Sequence, residues 1–283
     1  MAAAHIYQIF YSEPTRAALE PGFIALDNLA NERPDWREYW PIRNYLLGSE
    51  LAEDDFYGFF SPKFGHKTTL SARQVQEFVL ADPQVDVVIF SPYYDQSAFY
   101  LNPFEQGDAH YPGLLQAAQD FVAAIGEDIR LADLVTDSRS TIFCNYFVAR
   151  PGFWRAWLEI NEKLFALAES GDSDLGRRLN ARTAYGRDGV PMKVFVMERV
   201  ATLLLATQSR WRSTAYSPYR MLLTDSPLSS GYQFELLLLD ALKIAYLTRG
   251  HAEYRDAFLR LRQVIDDALA KDGRRATDMS AAG

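Results

Sequence analysis

Glu198 is the carboxylate in this chain whose surroundings best suit proton transfer. On a helix its neighbours one turn away are Val194, Phe195, Ala201 and Thr202. Such an apolar setting desolvates a carboxylate and raises its pKa toward the range of a general base. An ion pair with Arg199 or a more distant arginine is the competing fate. A second group follows residues 56–60 (FYGFF), where Lys63, His66 and Lys67 fall within five residues. A cationic loop beyond a strand suits a diphosphate, with lysine as a point charge, and a solvated loop is the alternative. Residues 91–95 (SPYYD) also lie beyond an apolar run and offer Asp95 and two tyrosines. In residues 104–114 (FEQGDAHYPGL), Glu105, Gln106, Asp108 and His110 carry the directional hydrogen bonding that sugar hydroxyls need, although a polar turn at Gly107 reads equally well.

Other chemistries lose their signatures. The chain has no GxGxxG, P-loop, GxSxG, HExxH or CxxC pattern. His5, His66, His110 and His251 have no mutual metal-ligand spacing. Cys144 is the one cysteine, set in an apolar run, which reads as a buried thiol and excludes an internal disulfide. A net charge of −8 argues against broad nucleic-acid binding and against charge-driven docking on anionic lipid.

These residues need elements to hold them. Residues 5–11 (HIYQIFY), 56–60, 85–90 (VDVVIF) and 141–149 read as strands. The run at 85–90 is apolar on both faces, as in a parallel sheet covered on both sides. Helices are expected over 34–47, from Ser71 with a Ser71/Gln74 capping box, over 112–125, from Pro151 to about residue 169, over 191–207, 231–248 and 252–270. Residues 171–189 read as a mobile polar connection. Strands and helices alternate over 1–150, and 151–272 is mostly helical. The reading is one α/β unit over 1–272 with a mostly parallel sheet, followed by a disordered tail at 273–283. The start has no secretion signal, and the most apolar stretch, 234–247, is too short and too charged to span a bilayer, so a cytoplasmic location is expected. The helical third could cover the core or form a homodimer contact.

Four segments, in order, resemble the GT-A-type glycosyltransferase-like proteins of bacterial capsule and lipopolysaccharide gene clusters. They are residues 56–64 (FYGFFSPKF), 85–92 (VDVVIFSP), 143–157 (FCNYFVARPGFWRAW) and 194–205 (VFVMERVATLLL). The resemblance implies a GT-A-like fold and transfer of a sugar from a nucleotide-sugar donor to a glycan or other hydroxyl acceptor, with peripheral membrane association open. It sets Asn145 near the site floor and Glu198 in or near the acceptor site. Lys63, His66 and Lys67 would then face the donor diphosphate, while Tyr94 and Asn145 orient the sugar. Asp95 is the candidate ligand for Mn²⁺ or Mg²⁺, since the literal DxD at Asp172–Asp174 follows a helix and reads as a loop. A carbohydrate-binding or scaffold protein on a degenerate fold is the second reading, and a hydrolase using Glu105 and Glu198 the third.

Overall fold

In the computed structural model, which describes residues 2–186 and 188–278, six strands form one sheet. They are β1 (Ala4–Phe10), β2 (Ile24–Asp27), β3 (Phe56–Phe60), β4 (Val87–Ile89), β5 (Phe147–Ala149) and β6 (Ser213–Ala215). Their order is β2-β1-β3-β5-β4-β6. All pairings are parallel except those of β5, which runs antiparallel to both β3 and β4. The α/β class with a mostly parallel sheet and a helical C-terminal part is therefore as the sequence predicts.

Period-two alternation makes this sheet two-sided. Phe56 and Phe60 pack on one face with Ile6, Val88 and Val148, under the helix Ala72–Ala81. Tyr57 and Phe59 pack on the other with Ile9, Ile89 and Phe147, under Trp154 and Trp157 of the helix Pro151–Ser170. Gly58 sits where β3 and β5 touch. A Cβ there would lie 2.7 Å from Val148 Cγ2, so glycine permits the strand contact. A third core joins the helix Tyr94–Phe99 to the C-terminal pair Gln233–Arg249 and Ala252–Lys271.

Four expectations change. The strand expected over 141–149 is short, and residues 141–146 form an irregular corner. The expected connection at 171–189 contains a helix, Asp174–Asn180, whose N-cap is Ser173, so the DxD triplet is a cap. Ser173 Oγ accepts from Gly176 N at 2.9 Å. The helix expected over 191–207 is two, Met192–Met197 and Val200–Thr207, broken at Glu198–Arg199. In the tail, Ala276 is buried against the C-terminal core where disorder was expected, and 279–283 lie outside the described residues. No described helix is long and apolar enough to cross a membrane.

Candidate functional site

Because β5 is antiparallel, its N-terminal end meets the carboxyl ends of β1, β3 and β4 at one end of the sheet's strands. The segment leading into β5 is anchored there from two sides. Phe143 N donates to Ser91 Oγ at 2.8 Å, and Ile142 N donates to Thr202 Oγ1 at 2.8 Å. Phe90 N, just past β4, donates to Tyr146 O at 2.8 Å. The anchored corner puts Cys144 at φ 61° and Asn145 at φ 55°, in the left-handed region.

Every described non-glycine residue with positive φ belongs to the strand-end loops or their flanks. Tyr93 (φ 67°) follows β4, and Thr69 (φ 60°) ends the short helix Phe64–Thr68 that carries Lys67. Asn31 (φ 39°) and Arg37 (φ 51°) line a cavity of about 90 Å³ beyond β1 and β2, together with Tyr11, Asn28 and Glu38. Outlier backbone costs about 1–3 kcal/mol per residue and gathers where geometry is dictated by a task.

At these strand ends, Lys67 Nζ donates to Cys144 Sγ at 3.2 Å, and its ammonium lies 5.8 Å and 5.9 Å from the ring centres of Tyr146 and Tyr93. Burial works against the lysine charge, while the Cys144 sulfur and the Tyr146 and Tyr93 rings favour it, and the amine's pKa lies above its ordinary range. Burial also pushes the Cys144 thiol up, so the thiol is the neutral partner, despite the opposing pull of Lys67. Asn145 is buried; its Nδ2 lies 3.1 Å from Met197 Sδ, and its Oδ1 has no partner among the described residues.

Glu198 follows Met197 at the helix break. Burial raises its carboxyl from 4.5 to about 7, against the opposing fields of Arg199 and Lys67, and Glu38 adds to the rise. No described group donates to this carboxylate. The break itself is held by Arg199, which is 4% exposed. Its Nε donates to Pro103 O at 2.6 Å, Nη1 to Phe195 O at 2.7 Å and Nη2 to Gln106 Oε1 at 3.0 Å. Gly107 is the seat for that guanidinium, since a Cβ there would lie 2.5 Å from Arg199 Nη2.

Beside Glu198 stands an aromatic wall. Tyr111 stacks on Phe195 with centroids 4.2 Å apart, and Tyr185 meets both edge-on at 6.1 Å and 5.7 Å. Tyr185 is 46% exposed. Burial raises the Tyr111 hydroxyl, and the charge of Glu198 acts on it in the same direction.

The candidates named from sequence thus divide. Lys67, Asn145 and Glu198 meet around Cys144. Lys63, on the turn after β3, and His66, on the short helix Phe64–Thr68 next to Lys67, are both exposed. Tyr94 belongs elsewhere: its hydroxyl donates to Leu236 O at 3.1 Å, and its neighbour Tyr93 takes the place beside Lys67. Glu105 is engaged by Arg262 Nη1 at 2.8 Å and by Leu101 N, which removes it as the partner carboxylate of a hydrolase. Asp108 accepts from Gly113 N and Leu115 N at the start of the helix Leu114–Ala124. Gln106 and His110 share Gln96 Oε1, with His110 Nε2 at 3.1 Å, in a buried network under Arg199. Burial, aided by Arg199, lowers the His110 pKa.

Asp95 does not fit a metal. It is fully buried, and its oxygens face Thr224 N at 2.9 Å, Gln96 Nε2 at 3.0 Å, Ser226 Oγ at 3.2 Å and Thr224 Oγ1. Those donors fasten residues 224–226 to the helix Tyr94–Phe99 and leave the carboxylate no free face. Among the described residues no group of three or more His, Cys, Asp or Glu side chains converges as a metal site.

Sequence reasoning offered Tyr93 only as one of two tyrosines and Cys144 only as a buried thiol, and it missed Glu38, Arg37 and the Tyr111–Tyr185 wall. Positive φ has no reliable signal in Tyr, Cys or Arg, and the wall joins residues 74 positions apart.

A second depression, about 390 Å³, lies among Leu115, Gln116, Gln119, Arg130 and Ala132 and holds none of these groups. No protein-family model and no curated protein matches this chain. Among solved structures it is similar to one described as the apo structure of the bifunctional glycosyltransferase WbbM, with TM-score 0.44 and 14% identity. The match covers 76% of this chain and 44% of that one, so the chain spans less than half the length of its neighbour, and the likeness is too distant to assign an activity.

Proposed function

We propose that this chain transfers a sugar from a nucleotide-activated donor to a hydroxyl of a glycan acceptor, as in the synthesis of a bacterial surface polysaccharide. The observation that carries the reading is the left-handed corner at Cys144 and Asn145, where Lys67 donates to Cys144 Sγ and where Glu198 lies close enough to act on both, its carboxyl raised by burial. The nucleoside of the donor lies across the mouth of the small cavity beyond β1 and β2, beside Tyr11, Asn28, Asn31 and Arg37, with only an edge of its base inside. Its diphosphate turns toward Lys67, with Lys63 and His66 at the rim. Asn145 and Tyr93 border the transferred sugar.

The chemistry divides between two groups. Ionised Glu198 takes the proton of the acceptor hydroxyl as its oxygen bonds the anomeric carbon. The bond from that carbon to the diphosphate breaks, and its electron pair leaves on the diphosphate oxygen beside Lys67. A cation fixed in place before the charge develops stabilises the leaving group without reorganisation. A pKa near 7 leaves a useful fraction of Glu198 ionised at neutral pH while keeping it basic. The rings of Tyr111 and Tyr185 offer an apolar face to the acceptor sugar.

The test is thermal unfolding against nucleotides and nucleotide sugars, with and without Mn²⁺ or Mg²⁺. A native-state ligand at a hundredfold excess over its Kd stabilises by about 2.7 kcal/mol. A shift with one nucleotide, lost in Lys67→Met, and turnover lost in Glu198→Gln support the reading; a folded protein that no nucleotide shifts sinks it. A carbohydrate-binding protein without catalysis is the second reading, favoured by the full engagement of Asp95. It predicts a shift with oligosaccharides and none with nucleotides.

A further inference from the structure

The helix Gln233–Arg249 exposes apolar side chains on its outward face while it buries two charges among the leucines of its inward one. Its inward face carries Asp240 and Lys243 beside Leu236 and Leu239, all buried. Ser138 satisfies Asp240 from N at 3.0 Å and from Oγ at 2.7 Å, and Lys243 donates to Tyr100 O at 2.7 Å and to Ser97 O. The outward face, at helical spacing, carries Phe234, Leu237, Leu238, Ala241, Ile244 and Ala245. Phe234 is 67% exposed, Leu237 44% and Leu238 41%. A helix at a free surface turns its polar side to water. Here two charges are drawn inside and a leucine-rich stripe is left outside.

We infer that this stripe is the interface of a homodimer, in which a second copy of the chain lays the same helix antiparallel across it. Three observations choose that occupant. The stripe is self-complementary, as a two-fold contact requires. Antiparallel pairing about an axis between Leu239 and Asp240 sets Phe234 against Ala245 of the other copy, Leu238 against its Ala241 and Leu237 against its Leu242, with Ile244 beside its Glu235, so the leucine-rich part of each stripe meets apolar side chains. The stripe is also broad. Tyr219, 56% exposed and joined to this helix through Tyr94, widens it beside Phe234, Leu237 and Leu238. Finally, the helix has one exposed cation, Arg249, in a chain of net charge −8, which disfavours an anionic bilayer as the cover. The interface is independent of the sugar-transfer reading.

Sedimentation equilibrium of the full chain at about 5–50 µM, the range of ordinary transient-to-stable association, tests it. Wild type is expected near twice 32.2 kDa, and Leu238→Glu near 32.2 kDa with unchanged far-UV circular dichroism. Leu247→Glu, on the same helix but off the stripe, stays dimeric. Phe234→Ser, at the most exposed position, weakens association at least tenfold and serves if Leu238→Glu fails to fold. A wild-type monomer at the highest concentration overturns the inference, as does a dimer whose Kd neither stripe substitution changes. A wild-type monomer that co-sediments with phosphatidylcholine/phosphatidylglycerol vesicles overturns it in favour of a membrane surface.

Discussion

Replacing Glu198 by Gln should make the protein more stable at alkaline pH while removing its activity. The folded protein holds this carboxyl near pH 7, against 4.5 for the free group. Between those values the native state binds a proton that the unfolded chain has released. The contribution of Glu198 to stability is therefore fully present below about pH 4.5, falls as pH rises through 7, and is flat above about pH 8. At about 1.36 kcal/mol per pH unit between the two values, the ionised native form is penalised by about 3 kcal/mol at pH 8. A glutamine in its place carries no such penalty. The variant should lie within about 0.5 kcal/mol of wild type at pH 4.5 and exceed it at pH 8 by about 3 kcal/mol, roughly 5 °C in Tm for a chain of this size. Scanning both proteins by calorimetry from pH 4.5 to 8.5 cancels the groups they share, including Lys67, Glu38 and Arg199. Parallel curves for the two proteins would refute the reasoning, because the carboxylate would then be solvated or paired and unsuited to serve as a base. A gap that opens with pH, joined to a large loss of turnover, gives the trade of stability for function that a desolvated base entails.

Lys67→Met should weaken a nucleoside diphosphate about tenfold or more, by the loss of one charge-assisted contact, read as a smaller ligand-induced Tm shift at equal ligand. Asp95→Ala should cost about 2–3 kcal/mol by leaving Thr224 N and its neighbours buried without an acceptor, and should leave any response to Mn²⁺ unchanged; a lost metal response would return Asp95 to a ligand role. Gly107→Ala should displace the Arg199 guanidinium at a cost of about 1–3 kcal/mol and shift the pH profile of turnover, whereas an unaltered profile would mean that the helix break stands without Arg199. Gly58→Ala should cost a similar ~1–3 kcal/mol through its clash with Val148 and leave the pH profile alone, as chemical denaturation and turnover together would show.

The local patterns that identified elements were those whose physics is local. β1, β3 and β4 follow from apolar runs, and Ser71 caps its helix with the capping box its spacing predicts. Glu198 stood out because its own helical neighbours are apolar, and the same burial raises its pKa in the fold. β2 and β6 were not legible: they are short and little buried, and exist because β1 and β4 offer an edge. The helix break at Glu198–Arg199 was hidden too, since helical propensity runs unbroken there and the break depends on Pro103, Gln106 and Gly107, more than 90 residues upstream. Choosing Tyr94 over Tyr93 failed for a related reason. Which tyrosine faces the strand ends is decided by a positive φ at Tyr93, and Tyr93 N donates to Leu222 O at 2.9 Å. The sequence by itself determined which residue types were available for the chemistry and which segments would form strands and helices, because periodicity and capping act within a few residues. Only the tertiary structure decided that Lys67, Cys144, Asn145 and Glu198 share one place, because strand order and the reversed direction of β5 bring together segments about 50 to 130 residues apart.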